Sequence, residues 1–182
     1  MKSFKDVIKK GGVAVIKTDT LYGLVCDARN HSAVDRIYTL KKRDKKKPCI
    51  VLVANYEQIK EFGINVNSII KTLDVYWPGK VSIILPAQDN SVNTHYIHRG
   101  TGGIAFRLPA NDRLRKLLID VGPLVAPSAN PEGKPAARDI SEAMDYFGDQ
   151  VDYYLDGGIV KDARASKIIK ISNNVNVKII RD

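Results

Sequence analysis

Short β-branched runs alternate with stretches of helical period along this chain, and that interleaving most restricts what it can fold into. Residues 13–16 (VAVI) read as a buried strand, and 21–26 as a second after the polar corner Thr18-Asp19-Thr20. Residues 49–53, 81–85, 103–108, 123–126, 152–155, 167–171 and 175–180 supply further strand candidates. Between them, Phe4, Val7 and Ile8 mark a short helix that stops at Gly11-Gly12. Val34, Ile37, Tyr38 and Lys41 mark a second, opening near Asn30 to Ser32. Ile69, Ile70, Leu73 and Trp77 fit a helix ended by Pro78-Gly79, and Leu114, Leu117 and Leu118 one opened by Asn111 or Asp112. Ile140, Ala143, Met144 and Phe147 complete the set, while 86–101 reads as a loop. The order is not a strict βαβ repeat, so the expectation is one α/β or α+β domain over residues 1–182, a mixed sheet flanked by helices.

A chain of 182 residues buries about 70 % of its unfolded surface, enough for a core of its own. Apolar runs such as 49–54 fall far short of the roughly 20 residues that cross a bilayer, so no membrane association is expected. The N-terminus has no apolar stretch followed by a small-residue cleavage site. Cys26 and Cys49 sit in apolar runs, without a disulfide framework or paired zinc spacing, and read as buried free thiols of a cytoplasmic protein. Twenty-nine Lys and Arg against 20 Asp and Glu leave a net charge of +9, which favours an anionic partner such as a nucleotide or RNA.

The common phosphate and hydrolase motifs are missing: no GxxxxGK[ST], no GxGxxG after a strand, no GxSxG, no HExxH. His31, His95 and His98 lack metal-ligating companions, with His95 and His98 read as exposed loop residues, and no metal site is expected. Four polar clusters remain, each where a strand ends. The first is residues 17–23, KTDTLYG, a turn or cap by its chemistry alone, or a ligand site. The second is residues 41–47, in which six of seven are basic, a solvated face or an anion cradle at a sheet end. The third is Arg107 inside the apolar run 104–108, whose guanidinium needs an anion, from a structural carboxylate or from a ligand. The fourth is Ser128-Ala129-Asn130 between two prolines. Fixed cations beside hydroxyls and amides on neighbouring strand ends suit nucleotide transfer by positioning and charge neutralisation.

In this order the clusters resemble the YrdC-like family of L-threonylcarbamoyladenylate synthases, over nearly the whole chain. Residues 15–28 look like its PTDTxYGLxCDA segment, and Lys41-Lys42-Arg43 its KxR signature, followed by a KPxIVLV-type stretch at 47–53. Trp77-Pro78-Gly79 with 83–85 resembles the WPG block, and 104–109 the VAVRxP strand. Residues 127–135 resemble the SANxSGxP turn, and Asp156-Gly157-Gly158 the late DGG.

The resemblance implies a twisted, open mixed sheet with a basic concave face. It also implies synthesis of threonylcarbamoyl-adenylate and pyrophosphate from L-threonine, bicarbonate and ATP with magnesium. The product would feed a separate threonylcarbamoyl transferase complex that modifies tRNA, and tRNA or double-stranded RNA is an expected partner. By the same resemblance Lys41 and Arg43 would act on the ATP phosphates as the catalytic cations, with Lys47, Asn130 and Arg138 also contacting ATP. Thr20, Arg107, Ser128 and Ser166 would hold threonine, Arg107 through the carboxylate.

The chain departs from the family pattern at Lys17, Asp44, Lys80, Pro127 and Lys167, and Leu52 stands where longer relatives have His. Two alternatives accompany this reading. One is a YciO-type paralogue, whose relatives tend to lack both KxR and SAN. The other is a double-stranded RNA-binding module without chemistry, which would leave Arg107 and the 128–130 turn unexplained.

Overall fold

The computed structural model describes residues 3–87, 93–172 and 176–182. Among these residues nine strands form one mixed sheet in the order β7-β1-β2-β6-β3-β5-β4-β8-β9. β1 (Ala14–Lys17) and β2 (Tyr22–Asp27) make an antiparallel hairpin around the 18–21 corner. β6 (Leu124–Val125) links β2 to β3 (Ile50–Leu52), antiparallel to both. β3 runs parallel to β5 (Gly103–Arg107), which pairs antiparallel with β4 (Val81–Pro86). β7 (Tyr153–Leu155) lies parallel to β1 at one edge. β8 (Lys167–Ile171) and β9 (Val177–Arg181) close the other.

The central strands are buried on both faces, which is why they read as continuous apolar runs rather than alternating ones. Val15, Leu24, Cys26, Val51 and Phe106 belong to the larger core, together with α2 (His31–Lys41) and α7 (Ile140–Phe147). Ala14, Ile16, Val25, Leu52 and Leu124 face the opposite way, onto α1 (Phe4–Lys9) and α6 (Asp112–Val121). Local chemistry sets the helix starts. The Asn30 side chain accepts from Ala33 N, Asn111 from Leu114 N and Asp139 from Glu142 N, and Ser3 with Asp6 forms a capping box. α2 ends at Lys42, which takes the left-handed conformation (φ +51°) and turns the chain sharply toward β3.

Three expectations change. The helix read from Ile69 to Trp77 is a 3-10 turn, Asn67–Ile69, followed by the single turn α4 (Ile70–Leu73). Past Leu73 the chain bends, and Trp77 instead packs into the core and donates from its indole nitrogen to Val81 O (2.7 Å). A short helix, α3 (Tyr56–Lys60), lay hidden because its five residues span less than two helical repeats. Within the stretch read as loop, His95–His98 forms α5, so the two histidines stand on a helix, with His31 stacked on Tyr96 from α2. Residues 88–92, and Val175 of the last expected strand, lie outside the described residues.

Candidate active site

The site lies on the sheet face of the smaller core, against which its lining residues Ile50 and Ala126 pack. A cleft with about 660 Å³ of empty space, partly open to solvent, is lined by Thr18, Thr20, Arg43, Arg107, Ser128 and Ser166, among others. Six separate stretches of chain meet there, around residues 18–23, 43–50, 107, 126–128, 165–168 and 181.

The hairpin corner is self-capped. Thr18 Oγ1 donates to Leu21 O (2.6 Å), accepts from Thr20 N and Leu21 N (both 3.2 Å), and lies 3.2 Å from Thr20 Oγ1. Both hydroxyls are thereby fixed at the mouth of the β1–β2 hairpin. Arg107, at the end of β5, is 3 % exposed and donates from Nη2 to Asp19 Oδ1 at 3.0 Å. The anion that its apolar setting demanded is thus supplied by the chain. Burial pulls the Arg107 pKa down, and the Asp19 charge opposes that pull.

The basic loop and the 128–130 turn are clipped together. Lys41 Nζ donates to the carbonyl oxygens of Ser128 and Asn130, both at 2.5 Å, and lies 3.3 Å from Asn130 Oδ1. Glu132 N donates to Lys41 O (2.7 Å). The Glu132 carboxylate accepts from Lys47 Nζ (2.5 Å) and Asp44 N (2.8 Å), contacts that hold it below the usual carboxylate range. Arg43 is anchored through Nε to Lys47 O (3.0 Å) and through Nη2 to Pro48 O (3.1 Å) while its side chain borders the cleft. Ser128 Oγ donates to Asn130 Oδ1 (2.6 Å), and Asn130 Nδ2 donates to Pro131 O and Lys134 O. The turn is tied to the sheet by Leu24 N donating to Pro127 O (2.9 Å) and Ala129 N to Tyr22 O (2.7 Å).

On the far wall Ser166 is buried, its hydroxyl 2.8 Å from Ser82 Oγ. Its carbonyl accepts from Arg181 Nη2 (2.7 Å) and Nε (3.3 Å). The buried Tyr22 hydroxyl accepts from Gly157 N (3.0 Å) and lies 2.9 Å from Gly158 O and 3.2 Å from Asp156 Oδ1. The DGG stretch is thereby held on the β1–β2 hairpin.

Of the residues singled out in the sequence, Thr20, Arg43, Arg107, Ser128 and Ser166 line the cleft. The others sit differently. Lys41 is buried beneath the turn, and Asn130 spends its amide on shaping it. Lys47 is exposed and paired with Glu132, and Arg138 is exposed just before α7. Sequence reasoning missed Arg181, a third guanidinium of the cleft, whose pKa burial lowers. The signal that marked Arg107, a cation within an apolar strand, was also present at Arg181 behind Ile179 and Ile180.

The profile of the Sua5/YciO/YrdC family, described as telomere recombination, matches residues 6–182. The chain belongs to that family. A threonylcarbamoyl-AMP synthase of Coxiella burnetii is 32 % identical over 185 residues, covering 93 % of this chain and 97 % of its own. One of Idiomarina loihiensis is 34 % identical over 178 residues, covering 95 % and 92 %. The crystal structure of Pyrococcus abyssi Sua5 complexed with L-threonine superposes with a TM-score of 0.85 at 28 % identity. That match covers 96 % of this chain and 51 % of the Pyrococcus abyssi one, so the chain spans about half the length of that relative.

Several departures from the Sua5/YciO/YrdC motifs have local partners. Lys17 donates to Ile159 O (2.9 Å) and lays its stem where a side chain on Gly157 would sit. Asp44 Oδ1 accepts from Lys46 N (2.9 Å), and Lys167 pairs with Asp182 (2.7 Å). Leu52, beside Arg107 in the β3–β5 register, is wholly buried in the smaller core.

Proposed function

We propose that this protein is an L-threonylcarbamoyladenylate synthase, joining L-threonine, bicarbonate and ATP into threonylcarbamoyl-AMP with release of pyrophosphate and water. The observation that carries the reading is the convergence of Arg43, Arg107, Ser128 and the Thr18–Thr20 hydroxyls on one cleft. It is supported by relatives named threonylcarbamoyl-AMP synthase that match nearly end to end, and by the likeness to a Sua5 complexed with L-threonine.

In this reading the threonine amine adds to the carbon of bicarbonate, water leaves, and the resulting carbamate oxygen attacks the α-phosphorus as pyrophosphate departs. Arg43 and Lys47 take the phosphates and stabilise the charge that develops on the leaving group. Asn130 and Arg138 complete the nucleotide side. Arg107 takes the threonine carboxylate, with Thr20, Ser128 and Ser166 around the rest of the amino acid. No side chain forms a covalent intermediate, so catalysis rests on proximity and electrostatics.

We assign magnesium to the triphosphate as part of the substrate. Asp19 is already engaged by Arg107, and the described residues contain no group of three or more His, Cys, Asp or Glu able to hold a metal ion. The product would pass to a separate transferase that modifies tRNA. No helix among the described residues is long and apolar enough to cross a membrane, and we place the reaction in the cytoplasm with its tRNA. The two alternatives, a paralogue without this activity and an RNA-binding module, do not account for a cleft that joins the KxR arginine to Ser128 and Arg107.

The test is pyrophosphate release from ATP, dependent on both threonine and bicarbonate, together with calorimetry against L-threonine and L-serine. Threonine-selective binding lost in Arg107→Ala, and release lost in Arg43→Ala, is the expected result. Full release by Arg43→Ala, or no threonine binding by the unmodified protein, would overturn it.

A further inference from the structure

Lys41 reaches the site without reaching the cleft. It is the last residue of α2 and 2 % exposed, and its ammonium faces three oxygens of Ser128 and Asn130. An ammonium carries three N–H donors and no acceptor, so these oxygens use all of them and none is left for a phosphate. Among the described residues Lys41 makes no ion pair; carbonyl dipoles hold its charge. Two of its acceptors are main-chain carbonyls, which set the path of the turn. That turn in turn carries Ser128 into the cleft.

We propose that Lys41 is a positioning residue: its ammonium holds the 128–130 turn in the shape that presents Ser128 to the cleft, and it touches no substrate. This replaces the phosphate-binding role that its place in the KxR signature suggested. It deepens the synthase reading, on which the ligand arm of its test rests.

The charged and titratable groups around the ammonium are Arg43 on the following loop, Cys49 leading into β3, and Glu132 beyond the turn. Burial pushes the Lys41 pKa down to about 8, Arg43 adds to the push, and Cys49 and Glu132 oppose it. Deprotonation therefore falls within the reach of ordinary buffers. A neutral amine keeps two donors for three oxygens, and the turn loses one tether.

The test begins with proton–nitrogen NMR of the labelled full chain from neutral pH to about pH 9.5, past the Lys41 pKa of about 8. The amides of Ala129 and Asn130 lie within the turn, donating to Tyr22 O (2.7 Å) and Ser128 O (3.0 Å). Both are expected to show an inflection near pH 8 that is absent in Lys41→Met. Flat titrations at both amides in the unmodified protein overturn the proposal, an outcome that needs neither a folded variant nor a ligand.

The second arm is threonine binding without ATP. Lys41→Met is expected to weaken it roughly tenfold or more, since a small misplacement of a contact group can cost that much. A phosphate ligand would instead leave threonine binding unchanged and weaken ATP alone, and that outcome also overturns the proposal. If the unmodified protein binds neither threonine nor ATP, the synthase reading fails, while the amide titration still judges Lys41.

Discussion

Arg107 and Asp19 are joined by one hydrogen bond where the geometry of their groups allows two. Nη2 donates to Oδ1 at 3.0 Å, while Arg107 Nε and Asp19 Oδ2 are both buried without a partner. A guanidinium and a carboxylate can meet as a two-bond fork, so this pair is held in place by its surroundings rather than by its own best fit. The β3–β5 register sets Arg107 beside Leu52, and the Thr18 cap sets the corner from which Asp19 projects.

Removing either partner leaves a buried charge alone. Asp19→Ala is therefore expected to destabilise the protein by about 3–5 kcal/mol in urea unfolding. Adding Arg107→Met to that background should cost less than Arg107→Met costs by itself, with a coupling of at least about 1 kcal/mol. Strict additivity in the cycle would show that the pair is not a coupled unit.

Tyr22 ties the DGG stretch to the hairpin through a single hydroxyl, which accepts from Gly157 N and lies against Gly158 O. Tyr22→Phe leaves both backbone groups unmatched and should cost about 1–3 kcal/mol. Hydrogen exchange should quicken at the Gly157 amide while Phe106 in β5 stays protected. Unchanged exchange at Gly157 would mean the loop is held by other contacts.

Lys41 also makes global stability depend on pH, with a sign that follows from its depressed pKa. In the folded protein it titrates at about 8, below the ordinary lysine value of 10.5. Between those two values the unfolded chain binds more protons, so this group makes stability rise with pH across that window. Below the window, burying the charged form is a standing cost of about 1–3 kcal/mol. The difference in unfolding free energy between neutral pH and about pH 10 should be more positive for the unmodified protein than for Lys41→Met. Equal differences would place the Lys41 pKa near its unfolded value.

Ser82 and Ser166 share one buried hydrogen bond across the β4–β8 pair. Either Ser82→Ala or Ser166→Ala should cost about 1 kcal/mol or somewhat more, by stranding the other hydroxyl. The double substitution should cost clearly less than the sum. If Ser166 also touches threonine, Ser166→Ala will raise the KM for threonine more than Ser82→Ala does, and equal effects would make both residues purely structural.

Much of the fold was open to reading in one dimension because its signals are local. The caps Asn30, Asn111 and Asp139 start helices with their own side chains, and the paired apolar runs are strands because both faces of the sheet are covered. Helices of four or five residues escaped, since Tyr56–Lys60 and His95–His98 span less than two turns, too few to show a repeating face. The site was legible as a set of residue types at strand ends. Arg181 carries the same mark as Arg107, a cation at the end of an apolar run.

The sequence by itself determined which residues are apolar, where chain direction must change and that a buried guanidinium would need an anion, because these depend on side-chain chemistry and near neighbours. Only the tertiary structure decided what each polar group faces. It gave Arg107 to Asp19, 88 residues away in the chain, and Lys41 to carbonyl oxygens 87 and 89 residues away. It also seated Ser166 against Ser82 and closed the cleft with Arg181. Such pairings are set by strand order and register, and a side chain carries no local mark of the distant group it will meet.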